Sequence, residues 1–254
     1  MKTALPQAGL GARAFDFAVF AGLVLAVWQL AHVVGGEVAM TSPLGTLVFT
    51  ARSIASGELW PHFEATLGAF AIAYVLAASM GVLAGAVLGY HRLSGEVAEP
   101  VLVAVYSIPK VTLYPIILLF FGIGIGAEVA FGALHGVIPI TLFTMNGVRN
   151  IKPVYIKAAR TMRIRPYDLL RTVLLPATLP EVFTGLRVGF SLTLIGTLLS
   201  EMFGSRRGIG FMLMQAIGLH HMDIIMSLTF LLVMFALMAN AAMLVIDHRL
   251  HRRA

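Results

Sequence analysis

Ionisable and hydroxyl side chains are scarce in this chain, so the few inside apolar stretches are the first candidates for chemistry. Lys110 follows Pro109 within one hydrophobic run, Arg187 lies within another, and Glu201 closes the run that carries Ser191, Thr193 and Thr197. A charge at mid-bilayer depth costs about 3 kcal/mol or more, which makes such residues functional candidates by default. Lys110, with Ser107 three residues before it, is a candidate to offer positive charge to an anion in a translocation path; the alternative is a snorkelling lysine. Ser191, Thr193 and Thr197 are candidates to line the same path, or bond back to their own helix. Arg187 reads as an anchor near one end of its helix. Glu201 and Met202 read as a gate at the outer face, with Arg206 and Arg207 as possible partners of the carboxylate. His220-His221-x-Asp223 has metal-ligand chemistry, but adjacent histidines diverge by about 100° on a helix, and no metal site is assigned. The absence of cysteine removes thiolate sites and Cys nucleophiles. Gly122-Ile-Gly124-Ile-Gly126 has no Lys-Ser/Thr after it, so it predicts a tight turn rather than a phosphate loop. No catalytic residue is assigned, and the chain is not an enzyme by itself.

The elements that hold these groups follow from composition. Of 254 residues, 59% are hydrophobic and 12% charged, with a mean hydropathy of +0.90. Soluble domains carry about a quarter charged residues, so a soluble globular protein is excluded. The sequence predicts an all-α polytopic membrane protein with six transmembrane helices, near 15–34, 65–90, 101–122, 129–148, 182–200 and 224–246. The second, fourth and sixth contain no charged residue, and Pro109 and Pro115 break the third. Continuous apolar runs rule out a β-barrel. Ala73, Ala77, Gly81, Gly85 and Gly89 recur every fourth residue, which predicts close backbone packing against another helix. The first run reads as a retained helix, not a cleaved signal. With the N-terminus inside, thirteen of the 18 Lys and Arg residues fall on the cytoplasmic side, Lys2, Arg252 and Arg253 among them, and only Arg52, Arg206 and Arg207 outside. Both termini are therefore expected in the cytoplasm. The basic balance is topological, and no nucleic-acid partner is expected.

The segment from Arg149 to Leu175 is the longest basic stretch. Pro153 and Pro166 each suit a first helical turn, and Tyr167, Leu170, Val173 and Leu174 share one apolar face, so a helix-turn-helix is expected. Ala158-Ala159 followed by Val173-x-Leu175-Pro176 resembles the EAA-x3-G-x9-I-x-L-P signature of bacterial ABC importer permeases. Leu179-Pro180-x5-Gly185-Leu186-Arg187, Glu201-Met202-Phe203 with Gly208-Ile209-Gly210, and Ser107-Ile108-Pro109-Lys110 with Phe121-Gly122-Ile123-Gly124 resemble the nitrate, sulfonate and taurine subfamily. Together these motifs cover most of 101–211. Two positions depart from the signature: Lys157 stands for its Glu and Arg163 for its Gly. A glycine there permits a left-handed turn, so Arg163 either strains that turn or takes a different one.

The resemblance implies the type I ABC importer permease fold, as one permease domain over 1–254 with a coupling loop at about 149–176. It also implies a membrane-spanning subunit of the bacterial plasma membrane that couples to a separate ATPase through 153–176, with Lys157, Ala158, Ala159, Arg160, Met162, Arg163, Leu175 and Pro176 at that contact. The implied partners are two ATP-binding subunits, a second permease copy (this chain or a relative) and a periplasmic or lipid-anchored solute-binding protein. No cofactor is expected in this chain, since ATP and Mg would bind the partner ATPase. The expected solute is a small anion such as nitrate, a sulfonate or a small organic acid. An ion-coupled secondary carrier is the competing reading; such carriers carry broken helices in both halves and intramembrane acids.

Overall fold

The computed structural model describes residues 10–37 and 39–251. Every regular element among them is helical. Helix α1 is Leu10–Gly35 and α2 is Pro43–Ser56. Ser42 caps α2, its hydroxyl accepting from the Gly45 amide at 3.1 Å, Pro43 takes the first turn, and Gly57 ends the helix at φ +84°. The helices α3 (Trp60–Tyr90), α4 (Arg92–Ser107), α5 (Tyr114–Phe121), α6 (Ile125–Arg149), α7 (Pro153–Thr161), α8 (Pro166–Leu169), α9 (Leu175–Gly204), α10 (Ile209–Leu219) and α11 (Met222–His251) follow. Lys2, Arg252 and Arg253 lie outside the described residues.

The backbone divides into two compact units. One joins the chain up to Gly57 with Ala216–Leu231, and the other joins Glu58–Gln215 with the chain from Leu232 onward. Polar ties hold the first unit together. Trp28 Nε1 donates to the Thr41 carbonyl at 3.0 Å, Thr41 Oγ1 to Asp223 at 3.0 Å, and Thr50 Oγ1 to Ser227 Oγ at 2.9 Å.

The core of the second unit is α3, α6 and α9. Ala73 and Ala77 abut Gly132 and Gly136, and Gly81, Gly85 and Gly89 abut Ile140, Thr144 and Val148, so α3 and α6 run parallel in step. A Cβ on Gly85 would lie 2.6 Å from the Thr144 Cβ, closer than any real contact. This is the close packing that the fourfold spacing predicts. Helix α9 runs the other way along α6, with Gly189 against Ile140, Gly185 against Phe143 and Glu181 against Gly147.

The predicted third span is bent by 85° between Arg92–Ser107 and Lys110–Phe121. Ile108 is extended, as a residue before proline prefers, and Pro109 cannot continue the helix. Contacts at its two ends show that this pair is a crossing and not a re-entrant loop. Glu99 of α4 pairs with Arg149, the last residue of α6. The Tyr114 hydroxyl donates to the Ser200 carbonyl at 2.8 Å, and the Gly124 amide donates to the Gly204 carbonyl at 3.1 Å. Since α9 is antiparallel to α6, Ser200 and Gly204 stand at the Ile125 end. The segment therefore travels about 30 Å along α6, a bilayer thickness. With it, the described residues contain six spans, the others being Phe15–Gly35, Trp60–Tyr90, Ile125–Arg149, Tyr167–Gly204 and Met222–Val245.

Four spans begin well before their predicted bounds, the second at Trp60 and the third at Arg92 as well as the fourth and the fifth. The fourth begins at Ile125, because backbone hydrogen bonding continues past the apolar window. That brings Glu128 into its first turn, only 5% exposed, although the predicted span carried no charge. A carboxylate there also faces the positive end of the helix dipole. The fifth begins far earlier, because α8 does not end before the span. Leu170–Leu174 widens into a π-helical turn and leads directly into α9. Pro176 accounts for the widening: it has no N–H for the α ladder, and a π turn re-spaces the Thr172 carbonyl it would clash with.

Candidate functional site

Residues 149–176 form the expected helix-turn-helix. Proline opens both short helices, α7 at Pro153 and α8 at Pro166. Between them Arg163 adopts φ +49°, the left-handed conformation that the signature glycine would supply. The Ile164 amide reaches back to the Ala159 carbonyl at 3.1 Å, the six-to-one bond of a Schellman cap. Ala159 is 3% exposed beneath this cap. Of the two readings left open by the sequence, Arg163 keeps the turn and bears its strain. Lys157, Ala158, Met162 and Arg163 are exposed, as are Leu175 and Pro176 past the π turn. Arg160 lies on α7, and its side chain is outside the described residues.

At the break of the third span, Lys110 Nζ donates to the Tyr106 carbonyl at 3.0 Å and lies 4.7 Å from the centre of the Tyr106 ring. The ammonium thus satisfies one of the last carbonyls of α4, where the helix dipole favours a cation. Ser107 bonds back to the Val103 carbonyl at 2.9 Å and remains exposed. Along α9 the hydroxyls part company. Ser191 is exposed, whereas Thr193 and Thr197 have no exposed surface and stand over the Cα atoms of Gly136 and Gly132. Neither hydroxyl has a partner among the described residues, so Cα–H···O contacts across the helix interface are what remain to them. Arg187 Nε donates to Asn240 Oδ1 at 2.8 Å, fixing α9 to α11.

The far end of α9 carries the densest polar network. Glu201 has no exposed surface. Its Oε2 accepts from Thr66 Oγ1 at 2.9 Å and from the Gly210 amide at 2.8 Å, and Thr66 Oγ1 in turn accepts from the Ile209 amide at 2.8 Å. His62 Nδ1 lies 3.2 Å from the Gly208 nitrogen. Gly208 takes φ +112° directly above the Glu201 carboxyl, where a Cβ would collide with it. The carboxylate therefore clasps the turn into α10 to the start of α3. Among the described residues it makes no ion pair with Arg206 or Arg207, which are exposed and line a cleft of about 490 Å3 together with Glu128 and Ser205. Met202 is half-buried beside it. The sequence pointed to Glu201 but not to Thr66, which is 135 residues away. The spacing from Glu201 to Gly208 and Gly210 was the only local sign that the chain folds back over the carboxylate.

Comparison with known proteins gives these features a family. Residues 77–254 match the model of the binding-protein-dependent transport system inner membrane component. The chain is 32% identical over 199 residues to the riboflavin transport system permease protein RibX of Chloroflexus aurantiacus, covering 78% of this chain and 74% of that one. It is 27% identical over 204 residues to the nitrate import permease protein NrtB of Synechococcus elongatus, covering 76% and 73%. Its fold is similar to a chain of the methionine ABC transporter MetNI in an inward-facing crystal form, with a TM-score of 0.54, 19% identity, and coverage of 76% of this chain and 94% of that one. With six apolar crossings and a capped helix-turn-helix between the fourth and fifth, the chain belongs to the binding-protein-dependent inner membrane components, and it is a multi-pass permease subunit of an ABC importer.

Proposed function

We propose that this permease, as one domain over 1–254, forms the translocation path for a small anion and is driven by a separate ATPase that grips α7, the Arg163 turn and α8. The family works with an ATPase and a solute-binding protein in general. The expected assembly has two permease chains, of this kind or one with a relative, two ATP-binding subunits that carry ATP and Mg, and one solute-binding protein. Both termini lie on the ATPase side in this reading, because an even number of crossings returns the chain to where it began and the Lys and Arg excess marks that side as cytoplasmic. Ser107, Lys110 and Ser191 remain the candidates to face the path. Thr193 and Thr197 hold α9 against α6, and Glu201 with Met202 closes the outer end. An anion fits Lys110, whereas the names of the relatives range from nitrate to riboflavin, so the solute-binding protein is expected to make the final selection.

The observation that carries the coupling assignment is the Schellman turn at Arg163, which leaves Met162 73% exposed at the tip of the hairpin. The chain contains no cysteine, so Met162→Cys introduces a single reactive thiol. In the assembled complex this thiol is expected to cross-link to the ATPase subunit, with a yield that changes when ATP is added. Cross-linking to lipid or to another permease alone, with the complex intact, refutes the assignment.

A further inference from the structure

We propose that the cleft between α3, α6 and the start of α9 is a binding site for one anionic phospholipid, drawn from the leaflet on the coupling-loop side. The cleft has a volume of about 370 Å3 and apolar walls made by Val82, Ala86, Val148, Leu174, Leu175 and Val182. Water gains few hydrogen bonds in such a space, and in a bilayer the abundant molecule that fits it is an acyl chain.

The position of the cleft selects the headgroup. Tyr90 and His91, where α3 ends, stand at its mouth, and so does Ile151, just beyond the end of α6. Helix ends of spans this long lie at headgroup depth. Three cations flank that mouth in sequence: Arg92 follows His91, Lys152 follows Ile151, and Arg171 lies in the π turn that leads to Leu174. All three are exposed. Arg92 pairs with Glu96, while Lys152 and Arg171 have no ion pair among the described residues. Basic pockets between transmembrane helices at a membrane face are the known chemistry for phosphate headgroups. Deeper in, Thr144 lines the cleft about 8 Å from Arg149 along α6, at the level of the glycerol esters beneath a phosphate, and its buried hydroxyl has no partner among the described residues. Phosphate at the basic mouth, ester near Thr144 and chain between the apolar walls is one consistent pose. The lipid then packs against Leu174 and Leu175, where the coupling segment enters α9, and fills the gap between that segment and α3.

The test uses the whole permease–ATPase complex in nanodiscs of equal phosphatidylglycerol and phosphatidylcholine, with retained lipid identified by native mass spectrometry. One phosphatidylglycerol per permease chain is expected to stay bound, with a preference of about tenfold over phosphatidylcholine. Ala86→Phe fills the cleft and is expected to remove that one lipid. Lys152→Gln combined with Arg171→Gln alters only exposed side chains; it is expected to keep a lipid but abolish the headgroup preference. If Ala86→Phe does not assemble, the double variant decides alone. An unchanged lipid complement in Ala86→Phe, an unchanged preference in the double variant, or loss of the lipid whenever the ATPase is bound overturns the proposal. Because the readout is bound lipid rather than transport, it stands apart from the assignment of solute.

Discussion

Arg163→Gly is expected to stabilise the turn between α7 and α8, although it removes a charged, exposed side chain. Arg163 sits at φ +49°, where an L side chain crowds the following carbonyl at a cost of about 1–2 kcal/mol. Glycine removes that cost but leaves a freer open state, which returns roughly 0.5–1 kcal/mol of it. The net gain is about 0.5–1 kcal/mol, or a two- to fivefold lower population of the opened turn. The bond that reports it is the Ile164 amide to the Ala159 carbonyl, 3.1 Å long. Hydrogen exchange at Ile164, corrected for intrinsic rates and measured on the protein in detergent, is expected to slow two- to fivefold in Arg163→Gly. It is expected to accelerate in Arg163→Val, whose branched Cβ tolerates a left-handed backbone least. Equal or faster exchange in the glycine variant would mean that the turn is not strained, and the argument for a preserved glycine geometry would fall.

Two further outcomes are expected. Glu201→Ala leaves the Thr66 hydroxyl and the Gly210 amide buried without their acceptor, at about 1–3 kcal/mol each; thermal unfolding in detergent should show a drop of several degrees that Glu201→Gln largely restores, and equal stability of all three proteins would refute the clasp. Lys157 is exposed, so Lys157→Glu should leave the isolated chain stable yet weaken its binding to the ATPase two- to fivefold, as an exposed ion pair does, with recovery when the facing ATPase acid is made basic; unaltered affinity would show that Lys157 faces no acid.

Much of this architecture was legible because a bilayer imposes simple rules on sequence. Length and apolarity located every span, Pro109 marked the break in the third, and the fourfold run from Ala73 to Gly89 marked the helix face that α6 covers. What stayed hidden has a common physical cause: it depends on partners distant in sequence, or on helix continuity that hydropathy does not measure. Nothing near Glu201 names Thr66, and nothing near Arg149 names Glu99 as its ion-pair partner. Glu128 looked like loop because the apolar window ends beside it, yet the helical ladder does not. At Arg163 the residue type argued against a left-handed turn, and the local hydrogen bonding prevailed over a cost of about 1–2 kcal/mol.

The unbroken run from Tyr167 through the π turn to Gly204 has a mechanical consequence. Its 38 residues make a rod about 57 Å long, with the α7–α8 hairpin at one end and Glu201 at the other. A tilt of only about 10° about its middle displaces each tip by about 5 Å, close to one helical turn. Displacement at one tip is then returned at the other with opposite sign and no loop in between to absorb it. The π turn and Pro180, which has no N–H for the helical ladder, are its compliant points, and both lie toward the hairpin end, so the longer arm beyond them is stiff.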